Sequence, residues 1–285
     1  MNEKPNQRFK IVVGYHKEHS QYLQNEVLLP LFMGRSPEYG PMIDSDNTGD
    51  NISDKNYLYC ELTGTYWLWK NVQADVKGLF HYRRVLASET AAFSPWRMVL
   101  RYNYYRIKSL FTNKPFLIQN KRRVQDVGAY MEEAMKFSKR IPSLFNEQHV
   151  DIIVPTNMSS FLITNQLHFN EVLSNDFLSL ITRKIEDVAP DYLNEFKETL
   201  AATTMTYANI IVARNAIFDE YCNYVFSVLF AVEKSIVDEG YWRDLHEKSL
   251  FRRFGYIGEL LTSSFVLHCE RKGLYVLRAP VLENS

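Results

Sequence analysis

Residues 78–84 read Gly-Leu-Phe-His-Tyr-Arg-Arg. The apolar run from Val76 to Phe80 has the composition of a buried strand, and four polar or basic side chains stand at its end. In an open α/β sheet, ligands bind outside the carboxyl ends of the strands, which puts His81, Tyr82, Arg83 and Arg84 where chemistry is done. Two adjacent guanidiniums are permanently charged planar donor forks. Beside an imidazole and a phenol they suit a phosphate-bearing ligand. Taken alone, such a strand end is more often a loop with structural ion pairs, so the other motifs must decide.

A second polar constellation is Asp44-Ser-Asp-Asn-Thr-Gly-Asp-Asn-Ile-Ser-Asp54. Residues of these types crowd turns and helix caps, and Ser53 or Asp54 is expected to cap a helix over Lys55–Lys70. Read functionally, Asp46, Asp50 and Asn51 line a pocket for a ribose, a sugar hydroxyl, or Mg²⁺ or Mn²⁺ bound jointly with a diphosphate. Asp44-Ser-Asp46 imitates an Asp-x-Asp metal motif but does not end an apolar strand, so turn-and-cap is the default and the metal is left open. Glu61 lies on the same Tyr/Trp-rich helix and matters if that helix flanks the site. The third constellation is Phe254-Gly-Tyr-Ile-Gly-Glu259. Its two glycines imply a backbone packed close to something, with Glu259 opening a long final helix. There it serves either as a charge favoured by the helix dipole or as a general base within reach of an acceptor hydroxyl. The phosphate loop, the dinucleotide fingerprint, the Gly-x-Ser-x-Gly elbow and His-Glu-x-x-His are all absent from the sequence. P-loop ATPases, dinucleotide oxidoreductases, α/β serine hydrolases and zincins are thereby disfavoured.

Something must position these residues. Four compact runs, Lys10–Tyr15, Val76–Phe80, Asp151–Val154 and Ala208–Val212, have the character of strands buried on both faces. Between them, Lys55–Lys70, Val124–Phe137, Ile217–Val237 and Gly255–Glu270 carry helical patterns. The alternation argues for an α/β layered fold with a largely parallel sheet. At 285 residues the chain fits one large domain or a domain with an appendage. Lys plus Arg and Asp plus Glu both total 33, so charge makes no case for a nucleic-acid partner. Cys60, Cys222 and Cys269 are far apart and form neither a disulfide framework nor a zinc spacing. With no signal-peptide pattern at the start, a cytoplasmic location is expected. One stretch departs from the rest. From residue 90 to residue 125 there is no acidic side chain, while eight lysines and arginines are interleaved with aromatic and aliphatic residues. A basic helical insertion over 90–125 is expected, either a lid or a surface whose residues 96–123 meet an anionic leaflet.

Together these segments resemble a known family. Lys10-Ile-Val-Val-Gly-Tyr-His-Lys17, Asp46–Ser53, Tyr59-Cys-Glu-Leu-Thr63, Tyr66–Asn71 and Gly78–Arg84, followed by Asp151–Pro155, Asn209, Phe218–Tyr221 and Phe254–Leu261, are similar in order and type to domain of unknown function 4422. That bacterial family belongs to capsular and exopolysaccharide gene clusters and is taken to comprise glycosyltransferases. The resemblance implies a GT-A-like fold, a Rossmann-type mostly parallel sheet flanked by helices, with residues 1–285 forming one glycosyltransferase domain. It implies a nucleotide-sugar donor, UDP-galactose being a family-context choice, and a lipid-linked glycan acceptor. On this reading His16, Lys17, Asp46, Asp50, Asn51, Glu61, His81, Tyr82 and Asn209 bind the donor, and Glu259, Arg83 and Arg84 are catalytic. The missing strand-end Asp-x-Asp leaves Mg²⁺ or Mn²⁺ dependence open. Two rivals remain: a non-catalytic sugar- or nucleotide-binding module of an assembly complex, and a phosphotransferase acting on sugar phosphates.

Overall fold

The computed structural model describes residues 7–34, 43–88, 95–112, 117–118, 121–160, 163–238 and 252–284. In chain order the strands are β1 (Phe9–Tyr15), β2 (Leu28–Phe32), β3 (Asp44–Ser45), β4 (Val76–His81), β5 (Arg84–Leu86), β6 (Leu117–Ile118), β7 (Lys121–Val124), β8 (Ile152–Pro155), β9 (Met158–Ser160), β10 (Thr204–Met205), β11 (Ile211–Arg214), β12 (Val276–Ala279) and β13 (Val281–Asn284). The helices are α1 (Asn56–Tyr59), α2 (Leu62–Asn71), α3 (Pro95–Thr112), α4 (Val127–Asn146), α5 (Asn165–Leu173), α6 (Asn175–Val188), α7 (Leu193–Ala201), α8 (Asn215–Asp238) and α9 (Arg253–Arg271).

The main sheet runs β12-β8-β11-β4-β1-β2-β3, with β5, β7 and β13 as a side branch. Pairing is mostly parallel, as the strand–helix alternation requires. On the central path only β11 is antiparallel, to both β4 and β8. That reversal matters for function, because the amino end of β11 comes to the edge where β1 and β4 end. Extending the register Ile211↔Leu79 puts Asn209 level with His81. A second, three-stranded sheet, β10-β9-β6, stands beside this edge. Ile11, Val12, Val13 and Val76 are fully buried, as β-branched runs covered on both faces should be. Helices α2 and α8 cover β4 on one side, while α4 packs against β5, β7 and β13.

The sequence reading differs from the structure at several boundaries, each for a local reason. The helix over Lys55–Lys70 is broken at Cys60, whose φ of 53° interrupts the α-helical path. Ser53 caps nothing; its hydroxyl bonds Asp46 and the Gly34 carbonyl. Helix α4 starts after Asp126, which accepts from the Ala129 N–H at 2.7 Å. The fourth strand begins only at Ile211, because Ala208 (φ 70°) and Asn209 (φ 50°) are both left-handed. Strand β2 was masked by Pro30, a residue that ordinarily demotes a strand. Of the basic 90–125 segment, α3 and the strands β6 and β7 are described. Strand β7 pairs with β13 and so ties the segment into the main sheet. Among the described residues, no helix is long and apolar enough to cross a membrane.

Candidate active site

The carboxyl edge of β1 and β4 is lined by imidazoles. His16 follows β1 and His81 ends β4, their ring centroids 5.6 Å apart. Tyr82 stacks on both His81 (4.8 Å) and Tyr15 (5.6 Å). The Arg83 N–H donates to Nδ1 of His81 at 3.3 Å, which leaves Nε2–H as the imidazole's donor. Burial, the charge of His16 and the guanidiniums of Arg84, Arg83 and Arg252 push the His81 pKa down to about 3, so the ring is neutral at physiological pH. Burial likewise lowers the pKa of His16, against the opposing pull of Glu61.

Across this edge lies a pair of carboxylates. Glu61 stands at the break between α1 and α2, and its Oε1 accepts from Asn209 Nδ2 at 2.9 Å. The same amide nitrogen donates to the Gly255 carbonyl at 2.9 Å. Oε1 of Glu259 accepts from the Ala208 N–H at 3.0 Å. These bonds hold two consecutive non-glycine residues in left-handed backbone, a conformation that costs of order 1–3 kcal/mol per residue and clusters at functional sites. Burial and the neighbouring Glu61 charge raise the Glu259 pKa to about 7, against the opposing pull of Arg84 and Arg252. A carboxyl poised there exchanges protons readily near neutrality.

Two glycines allow these groups to meet. A Cβ on Gly258 would stand 2.8 Å from Leu62 Cδ1 and 2.9 Å from Asn209 Oδ1, and one on Gly255 would touch Cys60 Sγ at 3.3 Å. The close approach expected of Phe254–Glu259 is therefore present. Glu259 does not open its helix, however. Helix α9 begins at Arg253, so Glu259 sits in the second turn, and the helix dipole does not explain its environment.

A sequence profile described as domain of unknown function (DUF4422) matches residues 10–271. The chain belongs to the DUF4422 family. The apo structure of WbbM, a bifunctional glycosyltransferase, aligns with the DUF4422 chain at a TM-score of 0.75 and 27% identity. The match takes in 97% of this chain and 45% of that one, so the DUF4422 chain spans under half the length of this neighbour. No curated protein matches the sequence.

Of the residues singled out from sequence, the structure gathers His16, Glu61, His81, Asn209 and Glu259 at one edge. Asp46 lies behind them, fully buried, close enough to His16 for their charges to interact. One Asp46 oxygen accepts from the Gly34 N–H at 3.0 Å and from Ser53. Asp44 is exposed at the start of β3 whereas Asp46 is fully buried, so the two carboxylates do not form a chelating pair. Among the described residues, no three His, Cys, Asp or Glu side chains group as a metal site. Asp50 and Asn51 are not brought to this edge. Asp50 is latched to the far end of α2 by Tyr66 (3.1 Å) and Asn71 (3.0 Å), and Asn51 bonds the Gly49 carbonyl in its own turn.

The two adjacent arginines diverge. Arg84 Nε is paired with Glu283 at 3.1 Å, where Lys121 and Arg123 converge as well. Arg83 is exposed, 5.3 Å from the Tyr82 ring centre. With Lys17, Tyr15, His19, Tyr82 and Tyr130 it lines a cavity of about 210 Å³ on the α4 side of the His81–Arg84 turn.

Sequence reasoning missed Arg252. It precedes α9 with φ 65°, donates its N–H to the Tyr57 carbonyl at 3.0 Å and bonds the Cys60 thiol. Its charge is felt at His16, Glu61, His81 and Glu259. One signal was available: an arginine pair at a helix start opposes the helix dipole and so needs another reason to be there.

Proposed function

We propose that the chain is a glycosyltransferase that moves a hexose from a nucleoside-diphosphate sugar, a UDP-sugar such as UDP-galactose, to a hydroxyl of a lipid-linked surface glycan on the inner face of the cytoplasmic membrane. The observation that carries this reading is Glu259. It is a carboxyl with its pKa raised to about 7, fixed by the Ala208 N–H beside Glu61, on an edge where burial and the charges of nearby histidine and arginine side chains keep the His81 imidazole neutral.

In an inverting displacement Glu259 takes the proton of the acceptor hydroxyl. The acceptor oxygen then bonds to the anomeric carbon as the bond from that carbon to the diphosphate oxygen breaks, and the nucleoside diphosphate leaves with the electron pair. Arg83 and Arg252 stabilise the negative charge growing on the leaving group, the term that usually dominates catalysis. Arg84, held by Glu283, adds a fixed positive field. His81 Nε2–H and His16 donate hydrogen bonds to phosphate or ribose oxygens. Glu61 and Asn209 position the sugar hydroxyls and keep Glu259 dry. Likeness to WbbM supports the reaction class, and the carboxyl-edge placement supports a nucleotide ligand.

The test incubates purified chain with radiolabelled UDP-sugars. Transfer to an acceptor, or slow donor hydrolysis, abolished in Glu259→Gln and weakened in Arg83→Ala and Arg252→Ala, is the expected result. Saturable UDP binding with no turnover of any sugar nucleotide would instead make the chain a binding module.

A further inference from the structure

We infer that α3 docks on an anionic phospholipid bilayer through a stripe visible only once the helix is built. Leu100, Tyr104, Ile107 and Phe111 recur at i, i+4, i+7 and i+11, and at ~100° per residue all four fall on one side of the helix. All are exposed, Phe111 at 85%. Scattered exposed apolar residues are ordinary, but four in register on one helix mark a contact surface.

Charge identifies what makes the contact. Helix α3 carries Arg97, Arg101, Arg106 and Lys108 and no acidic residue, and none follows before Asp126. A helix lying in the headgroup plane buries its apolar side among acyl chains while its cations meet phosphates, and each cation near an anionic surface adds to binding. Tyr104 suits the level between the two. A protein partner would have to supply both an apolar groove and an acidic rim. An anionic leaflet supplies both everywhere.

The placement of α3 gives the contact a direction. Four residues lie between Thr112 and Leu117, so five Cα–Cα steps keep the end of α3 within about 18 Å of β6. Strand β6 pairs with β9, which follows the carboxyl end of β8. Because β11 is antiparallel to both β8 and β4, that end shares an edge with His81. The lipid-facing helix and the candidate active site therefore open on the same edge of the sheet. Docking stands without the transferase reading, whereas its use, presenting a lipid-linked acceptor to Glu259, rests on it.

The experiment floats the full chain with phosphatidylcholine vesicles, with and without phosphatidylglycerol. The chain should rise only with the anionic vesicles, and less so in high salt. Ile107→Ser/Phe111→Ser should cut the bound fraction by about tenfold, because two stripe side chains no longer enter the bilayer. Leu167→Ser, at an exposed leucine on α5, should change nothing. Failure to float, or equal flotation by the double variant, overturns the proposal. So does a wild-type dimer that the double variant converts to monomer, since the stripe would then bury against a second copy. Donor hydrolysis without vesicles should be the same in wild type and double variant. Intact flotation with no turnover of any sugar nucleotide would leave the docking standing and remove the transferase reading.

Discussion

At the scale of single residues, the site turns on how differently two carboxyls are treated. Glu283 receives Arg84, Lys121 and Arg123, which hold its pKa at about 2 against the opposing effect of burial, and its proton takes no part in chemistry near neutrality. Glu259 is half-buried beside another carboxylate, and desolvation with that neighbouring charge raises its pKa to about 7. If Glu259 is the base, turnover rises with pH through about 7 and levels above it, and Glu259→Gln loses roughly 10²–10⁴-fold in kcat. The stability effect has the opposite sign. Unfolded, Glu259 ionises near 4.5, so the folded state bears the cost of a desolvated carboxylate increasingly from there to about pH 7. Glu259→Gln should therefore be more stable than wild type by up to about 3 kcal/mol above neutrality, with the gain absent below about pH 4. Paired melting curves at low and high pH check both the sign and the window. His81 was legible in the sequence because it ends a recognisable strand, and Glu259 because it follows a pair of closely spaced glycines, although it lies in the second turn of its helix rather than at its start. Arg252 was signalled only by an arginine pair at a helix start, because the left-handed backbone and thiol contact that place it depend on Tyr57 and Cys60, far away in sequence.

At the scale of elements, the site exists because two helices approach unusually closely. A methyl at position 258 would invade the space of both Leu62 and Asn209. Gly258→Ala is expected to cost about 1–3 kcal/mol in overpacking. By shifting Asn209 and Glu259 relative to one another it should also lower turnover by roughly 10–100-fold. Gly255→Ala, whose methyl would meet only the Cys60 side chain at 3.3 Å, should cost less in both; denaturant midpoints and turnover of the two variants give the comparison. The side branch makes a second element-scale case, since Glu283 on β13 joins Arg84 on β5 to Lys121 and Arg123 on β7. Glu283→Gln leaves three neighbouring cations uncompensated and should destabilise by about 1–3 kcal/mol, less than for a fully buried pair because the arginines reach solvent. The depressed pKa fixes the window. The contribution is complete above about pH 4.5 and is lost as the pH falls towards 2, so wild-type and variant melting temperatures should converge there. Long buried strands and the glycine-rich helix start were legible from composition. Helices α5 to α7 and the short strands β5, β12 and β13 were not, because their pairing is set by distant segments rather than by their own periodicity.

At the scale of the whole molecule, the groups at the candidate site come from positions 16, 61, 81, 209, 252 and 259, spread over most of the chain. A ligand that touches them together therefore bridges the first strand, the α1–α2 break, the β11 entry and the start of α9. Linkage turns this geography into a measurement, because anything that binds only the folded state stabilises it by RT ln(1 + [L]/Kd), about 2.7 kcal/mol at a hundredfold excess over Kd. For a chain of this size that corresponds to a rise of several degrees in Tm. UDP at saturation should produce that rise, and uridine should produce much less, since it lacks the diphosphate that Arg83 and Arg252 are held to meet. Arg252→Ala should diminish the UDP shift while leaving the small uridine shift intact, and Asp50→Ala, at the far end of α2, should leave both unchanged. Equal shifts by UDP and uridine in wild type would mean that the guanidiniums around His81 contribute nothing to the ligand. The cationic edge would then be a structural consequence of β4 and α9 meeting there.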